Sequence, residues 1–197
     1  MTAALTSCGS GSTSNDGRAA ANDSTTASKS IVIYFSHAGE NYAVGNITIG
    51  NTRHIADFII QATGADRWEV EPERSYDLPL EQLTAVALEE QEQGIYPACK
   101  GPLPDLRYRT TIYVGGPVWW GTYPQVLLGA LRQCDLNGKA IIPFTTHEGS
   151  EFGRCVDDLK RMFPKATFKE GLAVYGHQAA DARDDVEKWL RKIGETE

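Results

Sequence analysis

At 197 residues, two-fifths of them hydrophobic and under a quarter charged, the chain is long enough for one domain with a core that needs no disulfide staples. Its 26 acidic side chains against 19 basic ones leave a net charge of −7, which excludes a nucleic-acid phosphate partner and suits a small-molecule site or a basic protein partner. The tail before Ile31 carries Asp16, Asp23, Arg18 and Lys29, which cancel, so the whole excess belongs to the folded part.

In chain order, residues 9–30 are Gly, Ser, Thr, Ala, Asn and Asp with almost nothing apolar, and are predicted to be a disordered tether. Residues 1–30 are therefore taken as a tail and 31–197 as the folded domain. Leu5-Thr6-Ser7-Cys8 resembles a bacterial lipoprotein cleavage box, although the basic and long apolar regions of a signal peptide are missing ahead of it. The resemblance implies an exported protein anchored to a membrane surface by a lipid on Cys8; without it the expectation is a cytoplasmic protein. The other cysteines, Cys99, Cys134 and Cys155, form no C-x-x-C pair and no zinc-spaced cluster with histidine. Cys155 falls in a helical pattern with Leu159 and Met162 and is expected in the core.

The continuous apolar run Ile31–Phe35 predicts a strand buried on both faces. A polar, glycine-rich stretch follows, and a helix is predicted from Thr52, as its cap, to Thr63. The remaining predicted elements are a strand at Arg67–Glu71, an exposed helix at Leu80–Gln93, a strand at Thr111–Gly115 and a helix at Pro124–Gln133. After these come a strand at Lys139–Phe144, a helix at Gly153–Phe163, a strand at Leu172–Tyr175 and a final amphipathic helix at Ala180–Ile193. Strands alternating with helices in this way specify an α/β fold, an open parallel sheet with helices on both faces.

Ligands of such sheets bind beyond the carboxyl ends of the strands, and three loops there are unusual. After Phe35, the stretch from Ser36 to Thr52 offers hydroxyls, a close backbone approach at Gly50 and the positive end of a helix, all of which suit a phosphate. Arg53 beside that helix end opposes the dipole unless an anion is bound. The second loop, Gly115-Gly116-Pro117-Val118-Trp119-Trp120-Gly121-Thr122-Tyr123-Pro124, sets aromatic rings in a Gly/Pro turn, as a flat conjugated ligand would require. The third, Thr145–Gly153, presents hydroxyls and backbone donors suited to the polar edge of a heterocycle. In that loop His147 reads more readily as a structural hydrogen-bonder than as an acid or base, and Glu148 and Glu151 read as solvated. Phosphate, aromatic face and polar ring edge together describe flavin mononucleotide (FMN).

Tyr34-Phe35-Ser36 with Gly50-Asn51-Thr52, Gly115 through Thr122, and Pro143-Phe144-Thr145-Thr146-His147 resemble the flavodoxin family over residues 31–193. The resemblance implies a five-stranded parallel sheet in the order 2-1-3-4-5, with FMN at the switch point. It implies cofactor contacts from Ser36, Ala38, Gly50, Asn51 and Thr52, from Pro117, Val118, Trp119, Trp120 and Gly121, and from Thr146, His147, Gly149, Phe152 and Gly153. No side chain need act as a catalytic acid or base, and no metal is expected. Residues 37–49 look inserted into the phosphate loop and are expected to form a flap near the ring.

Three readings follow. One is an FMN electron carrier serving a redox partner protein or a small electron acceptor. The second is an FMN-dependent NAD(P)H:quinone-type oxidoreductase, with Tyr76, His147 and the flap shaping the substrate pocket. The third is a binding module that has lost the cofactor.

Overall fold

The computed structural model describes residues 28–197. Cys8 and residues 9–27 of the expected tether lie outside the described residues, and its last residues belong to the domain instead: Ser30 opens the first strand and the Lys29 carbonyl accepts from Thr110 N–H at 2.8 Å.

The first strand, β1 (Ser30–Tyr34), shows how the core divides. Alternate side chains of a strand leave opposite faces of the sheet. Ile31, Ile33 and Phe35 enter one core with Leu83, Val126, Leu127, Leu131 and Leu159. Val32 and Tyr34 enter the other with Ile55, Ile59, Val186 and Leu190. A short hairpin, β2 (Gly39–Asn41) and β3 (Gly45–Ile47), follows, and then α1 (Asn51–Thr63) and β4 (Asp66–Glu69). The chain continues through α2 (Leu80–Gln93), β5 (Thr111–Pro117), α3 (Gln125–Arg132), β6 (Ala140–His147) and α4 (Cys155–Met162). It ends with β7 (Thr167–Phe168), β8 (Leu172–Tyr175), a 3-10 turn at Gly176–Asp181 and α5 (Arg183–Lys192).

The main sheet runs β4-β1-β5-β6-β7, with β8 also paired to β6, and every pairing is parallel. This is the expected 2-1-3-4-5 order of a flavodoxin-like fold. One difference is at the edge: the fifth position is divided into two short segments, β7 against Ala140–Ile141 and β8 against Phe144–His147. Gly171 stands at the joint, where a Cβ would meet the carbonyl of Pro143 at 2.6 Å. Helices α2, α3 and α4 contribute to the core of one face, and α1 and α5 to that of the other. Cys155 is fully buried, as its spacing predicts, and burial pushes its thiol up to about 12. Among the described residues no helix is long and apolar enough to cross a membrane.

Candidate functional site

The carboxyl ends of β1, β5 and β6 bring the three loops together around one cleft. Of the residues named from sequence, Asn51, Thr52, Pro117, Val118, Trp119, Trp120, Thr146 and His147 line it. Ser36, Ala38, Gly50, Gly121, Gly149, Phe152 and Gly153 do not. Their places have physical causes. Ser36 Oγ accepts from the Arg53 N–H at 3.0 Å and so serves the first turn of α1. Gly50 is buried at the N-cap, where a Cβ would collide with Ser36 Oγ and come within 2.5 Å of the His37 carbonyl. Ala38 is exposed. Phe152 packs its ring on Gly171. Gly121 and Gly153 lie backbone to backbone, and the Gly121 carbonyl accepts from Arg154 N–H at 2.7 Å. Gly149 N–H donates to His147 Nδ1 at 2.9 Å.

Thr52 is not the cap of α1. Gly50 takes that position, and the buried Thr52 hydroxyl instead shares a 2.8 Å hydrogen bond with Thr146 Oγ1, tying the first loop to the third. The amides of Asn51 and Thr52 then have no protein partner among the described residues, and no acidic side chain stands in the first turn. This is the free positive end of a thirteen-residue helix. Arg53 does not answer to an anion there. Its guanidinium lies 3.5 Å from Glu69 and 4.0 Å from Asp57, so carboxylates of β4 and α1 balance its charge.

The second loop is held on the third by Val118 N–H donating to the Thr146 carbonyl at 3.0 Å. It then reverses through Trp119–Thr122, whose backbones exchange hydrogen bonds of 2.8 and 3.1 Å. Both central residues are left-handed, Trp120 at φ 49° and Gly121 at φ 81°, the geometry of a type I′ turn. Glycine adopts it freely, but tryptophan rarely does. Trp120 is held by its indole Nε1, which donates to the Thr84 carbonyl of α2 at 2.9 Å while the ring stays half exposed. Trp119 is fixed differently, edge-on among Phe35, His37 and Tyr76 with ring centroids 5.4, 5.8 and 5.4 Å away. Tyr76 therefore stands behind Trp119, its hydroxyl donating to Glu90 at 2.7 Å, and does not shape the cleft.

His147 packs on Tyr175 at 4.6 Å, and burial lowers its pKa. Its Nδ1 accepts from Gly149 N–H, the structural bond expected of it, while the residue also lines the cleft. Glu148 is not simply solvated: it borders the cleft and accepts from the backbone N–H of His177 at 2.9 Å, with His177 Nδ1 2.7 Å away. Glu151 is exposed.

Several lining residues come from the segment expected as a flap, and others, on α2 and at Gly176, escape sequence reasoning. Residues 39–47 form the β2–β3 hairpin, which brings Glu40, Asn41 and Tyr42 to the cleft; Glu40 accepts from the first N–H of α2, Leu80, at 2.6 Å. Helix α2 supplies an apolar shelf of Leu80, Leu83 and Ala87, and Gly176 closes the far side beside Asn51. His37 is 7% exposed, with Nε2 unpartnered among the described residues. Its position directly after Ser36 was the available signal.

A parallel open sheet with a helix terminus, an aromatic wall and a polar loop meeting at its carboxyl edge defines the flavodoxin-like class. The sequence model of the Flavodoxin family matches residues 29–193, and the chain belongs to that family. No curated protein matches it. Among solved structures, a protein of Bacteroides uniformis ATCC 8492 provisionally described as a flavoprotein is 25% identical, with 84% of this chain and 99% of that one covered at a TM-score of 0.68. Another so described, from Bacteroides eggerthii DSM 20697, is also 25% identical, with 84% and 98% covered at 0.67. A flavoprotein of Lactobacillus acidophilus NCFM, solved in complex with FMN, is 20% identical, with 79% and 98% covered at 0.55, and shares the fold.

Proposed function

We propose that the cleft binds FMN and that the protein carries electrons with it. The observation that carries this reading is the unpartnered N-terminus of α1, opening on the same cleft as the indoles of Trp119 and Trp120. A phosphate suits the first and a flat conjugated ring the second. The residues present fit the group in two further respects. No acidic side chain stands in the first turn of α1 to oppose an anion, and the buried His37 Nε2 lacks a partner that a polar ligand would supply. The FMN complex of the L. acidophilus protein supports the same choice.

In this reading Asn51, Thr52 and the Gly50 backbone hold the phosphate, with Ser36 bracing the turn. Trp120 and Trp119 flank the ring, and the backbones of Pro117–Trp120 and Thr146–Glu148 meet its polar edge. Bound FMN supplies the one- and two-electron chemistry, and the protein tunes it. Glu40, Glu148 and the acidic surface oppose further negative charge in the cleft, as does the apolar shelf of α2, so the reduction potential is pushed down. The test is the visible spectrum of the purified protein before and after FMN is added and the excess washed away. A retained flavin spectrum is expected; a colourless protein would overturn the assignment.

The apolar shelf and the exposed Tyr42 bordering the same cleft favour a second reading, an FMN-dependent oxidoreductase taking electrons from NAD(P)H to a quinone-type acceptor. NAD(P)H consumption by the flavin-loaded protein, with acceptor present, separates the two: a carrier alone shows almost none. Lipid anchoring at Cys8 is proposed on its sequence box, and intact mass of the membrane fraction tests it.

A further inference from the structure

We propose that His37 is a phosphate-contacting residue of this cleft: its Nε2 donates a hydrogen bond to a phosphate oxygen of the bound ligand, and the ring takes up one proton as that ligand binds. The proposal rests on reading the cleft as a flavin nucleotide site.

An unpartnered buried polar atom costs about 1–3 kcal/mol and is rare in native proteins. His37 Nε2 is such an atom, on a side chain lining the cleft. The residue also stands at the phosphate end of the site, since its own carbonyl abuts Gly50, the N-cap of α1. Its other contacts are accounted for. Trp119 meets the ring edge-on at 5.8 Å and 73°, and Gly39 lies against it. The backbone carbonyl of Glu40 favours a proton on the ring.

A neutral imidazole has one donor and one acceptor. A neutral ring whose one proton is on Nδ1 has only an acceptor at Nε2 and nothing to offer a phosphate oxygen. A second ring proton, taken from solvent, makes it a donor. In the free protein burial lowers the pKa of His37, so near neutral pH the ring is uncharged. The charged groups facing it are few. Asp77, before α2, favours the imidazolium; the Glu40 carboxylate of the hairpin is engaged by Leu80 N–H; the β5–α3 loop presents the uncharged Trp119. A phosphate dianion entering the cleft adds the negative charge that raises the pKa back through neutrality. Affinity should then fall as pH rises through the pKa of the complex.

The experiment compares the full-length protein with His37→Phe, which keeps a ring against Trp119, and His37→Gln, which keeps a neutral donor. FMN and riboflavin affinities are read by flavin fluorescence quenching from pH 5.5 to 8, and protons bound per FMN by calorimetry in buffers of differing ionisation enthalpy. The phosphate loses its own second proton near pH 6, so the difference between proteins at each pH is what reports His37. Near pH 7 the wild type should take up more protons per FMN than His37→Phe and bind FMN about tenfold tighter. His37→Gln should recover part of the affinity but not the proton, and riboflavin affinity should be unchanged. Equal FMN affinity and proton count in wild type and His37→Phe would overturn the proposal, as would equal losses for riboflavin and FMN. A wild type that binds no flavin would instead overturn the cofactor reading, and this inference with it. Should His37→Phe fail to fold by circular dichroism, the His37→Gln comparison decides.

Discussion

The buried hydroxyl pair Thr52–Thr146 joins the helix end proposed to hold phosphate to the loop proposed to meet the ring. Both side chains are buried, at 1% and 3% exposure, and each hydroxyl has the other as its one side-chain partner among the described residues. Thr52→Val or Thr146→Val keeps the shape and deletes one hydroxyl. The survivor is left buried and unpaired, which costs about 1–3 kcal/mol. Removing both leaves two methyl groups in contact, so the double variant should be more stable than the two single losses predict. The coupling expected for contacting residues is about 0.5–3 kcal/mol. Urea unfolding of the flavin-free protein measures it, and for a domain of this size each kcal/mol should also move the melting temperature by about 2–4 °C. Strictly additive single losses would refute the pairing. The cycle matters for function because Thr52→Val alone would alter FMN affinity through the loop as well as through any phosphate contact. The flavin-free cycle separates the two.

Trp120→Ala should weaken FMN binding by about 1–2 kcal/mol if the ring stacks on it, and unchanged affinity by fluorescence titration would remove that role. Trp120→Gly should bind FMN as weakly as the alanine variant yet melt higher, since φ 49° costs a non-glycine residue about 1–2 kcal/mol. Gly50→Ala has permitted dihedrals (φ −65°, ψ 144°) but no room, and overpacking of about 1–3 kcal/mol should appear in urea unfolding together with loss of FMN affinity. Burial raises the pKa of Glu90, so its folded form holds a proton more tightly than the unfolded chain. That contribution to stability is present at low pH and declines as pH climbs from the ordinary carboxylate value through the raised one. Glu90→Gln, whose amide oxygen can still accept from Tyr76, should flatten that decline and be at least as stable at pH 8, as read by melting temperature against pH.

The parallel sheet was legible because β1, β5 and β6 are continuous apolar runs, and α2 because its stretch is rich in glutamate, a good helix former. What was not legible depends on contacts far apart in the chain. The hairpin strands are three residues each and carry no alternation to detect. The β7–β8 division follows from packing around Gly171, and residues 176–181 form a 3-10 turn, so the last helix begins at Arg183 and not at Ala180 as its pattern predicted. Arg53 looked like a lone cation because Glu69 reaches it from a neighbouring strand. Glu148 looked solvated because His177 lies twenty-nine residues away. That the three loops meet at one cleft was readable for the opposite reason: in a parallel sheet, strand ends alone decide which loops meet.

The β2–β3 hairpin borders the cleft without disturbing the helix terminus that follows it. Gly39 pairs with Ile47, so the excursion leaves and returns at adjacent positions of one antiparallel ladder, about 4.5–5.5 Å apart. The chain on either side, Ser36-His37 and Gly50-Asn51, can therefore keep the geometry of a short loop around the helix terminus. What the hairpin adds faces elsewhere. Glu40 places a carboxylate on the N-terminus of α2, a favourable partner for that helix dipole, and the exposed Tyr42 borders the cleft. The cleft thus has a wall whose composition is independent of the phosphate cradle. Selection on that wall could turn a carrier toward a small acceptor while flavin binding stays the same, so the carrier and oxidoreductase readings differ in the hairpin and α2 and share everything beneath them.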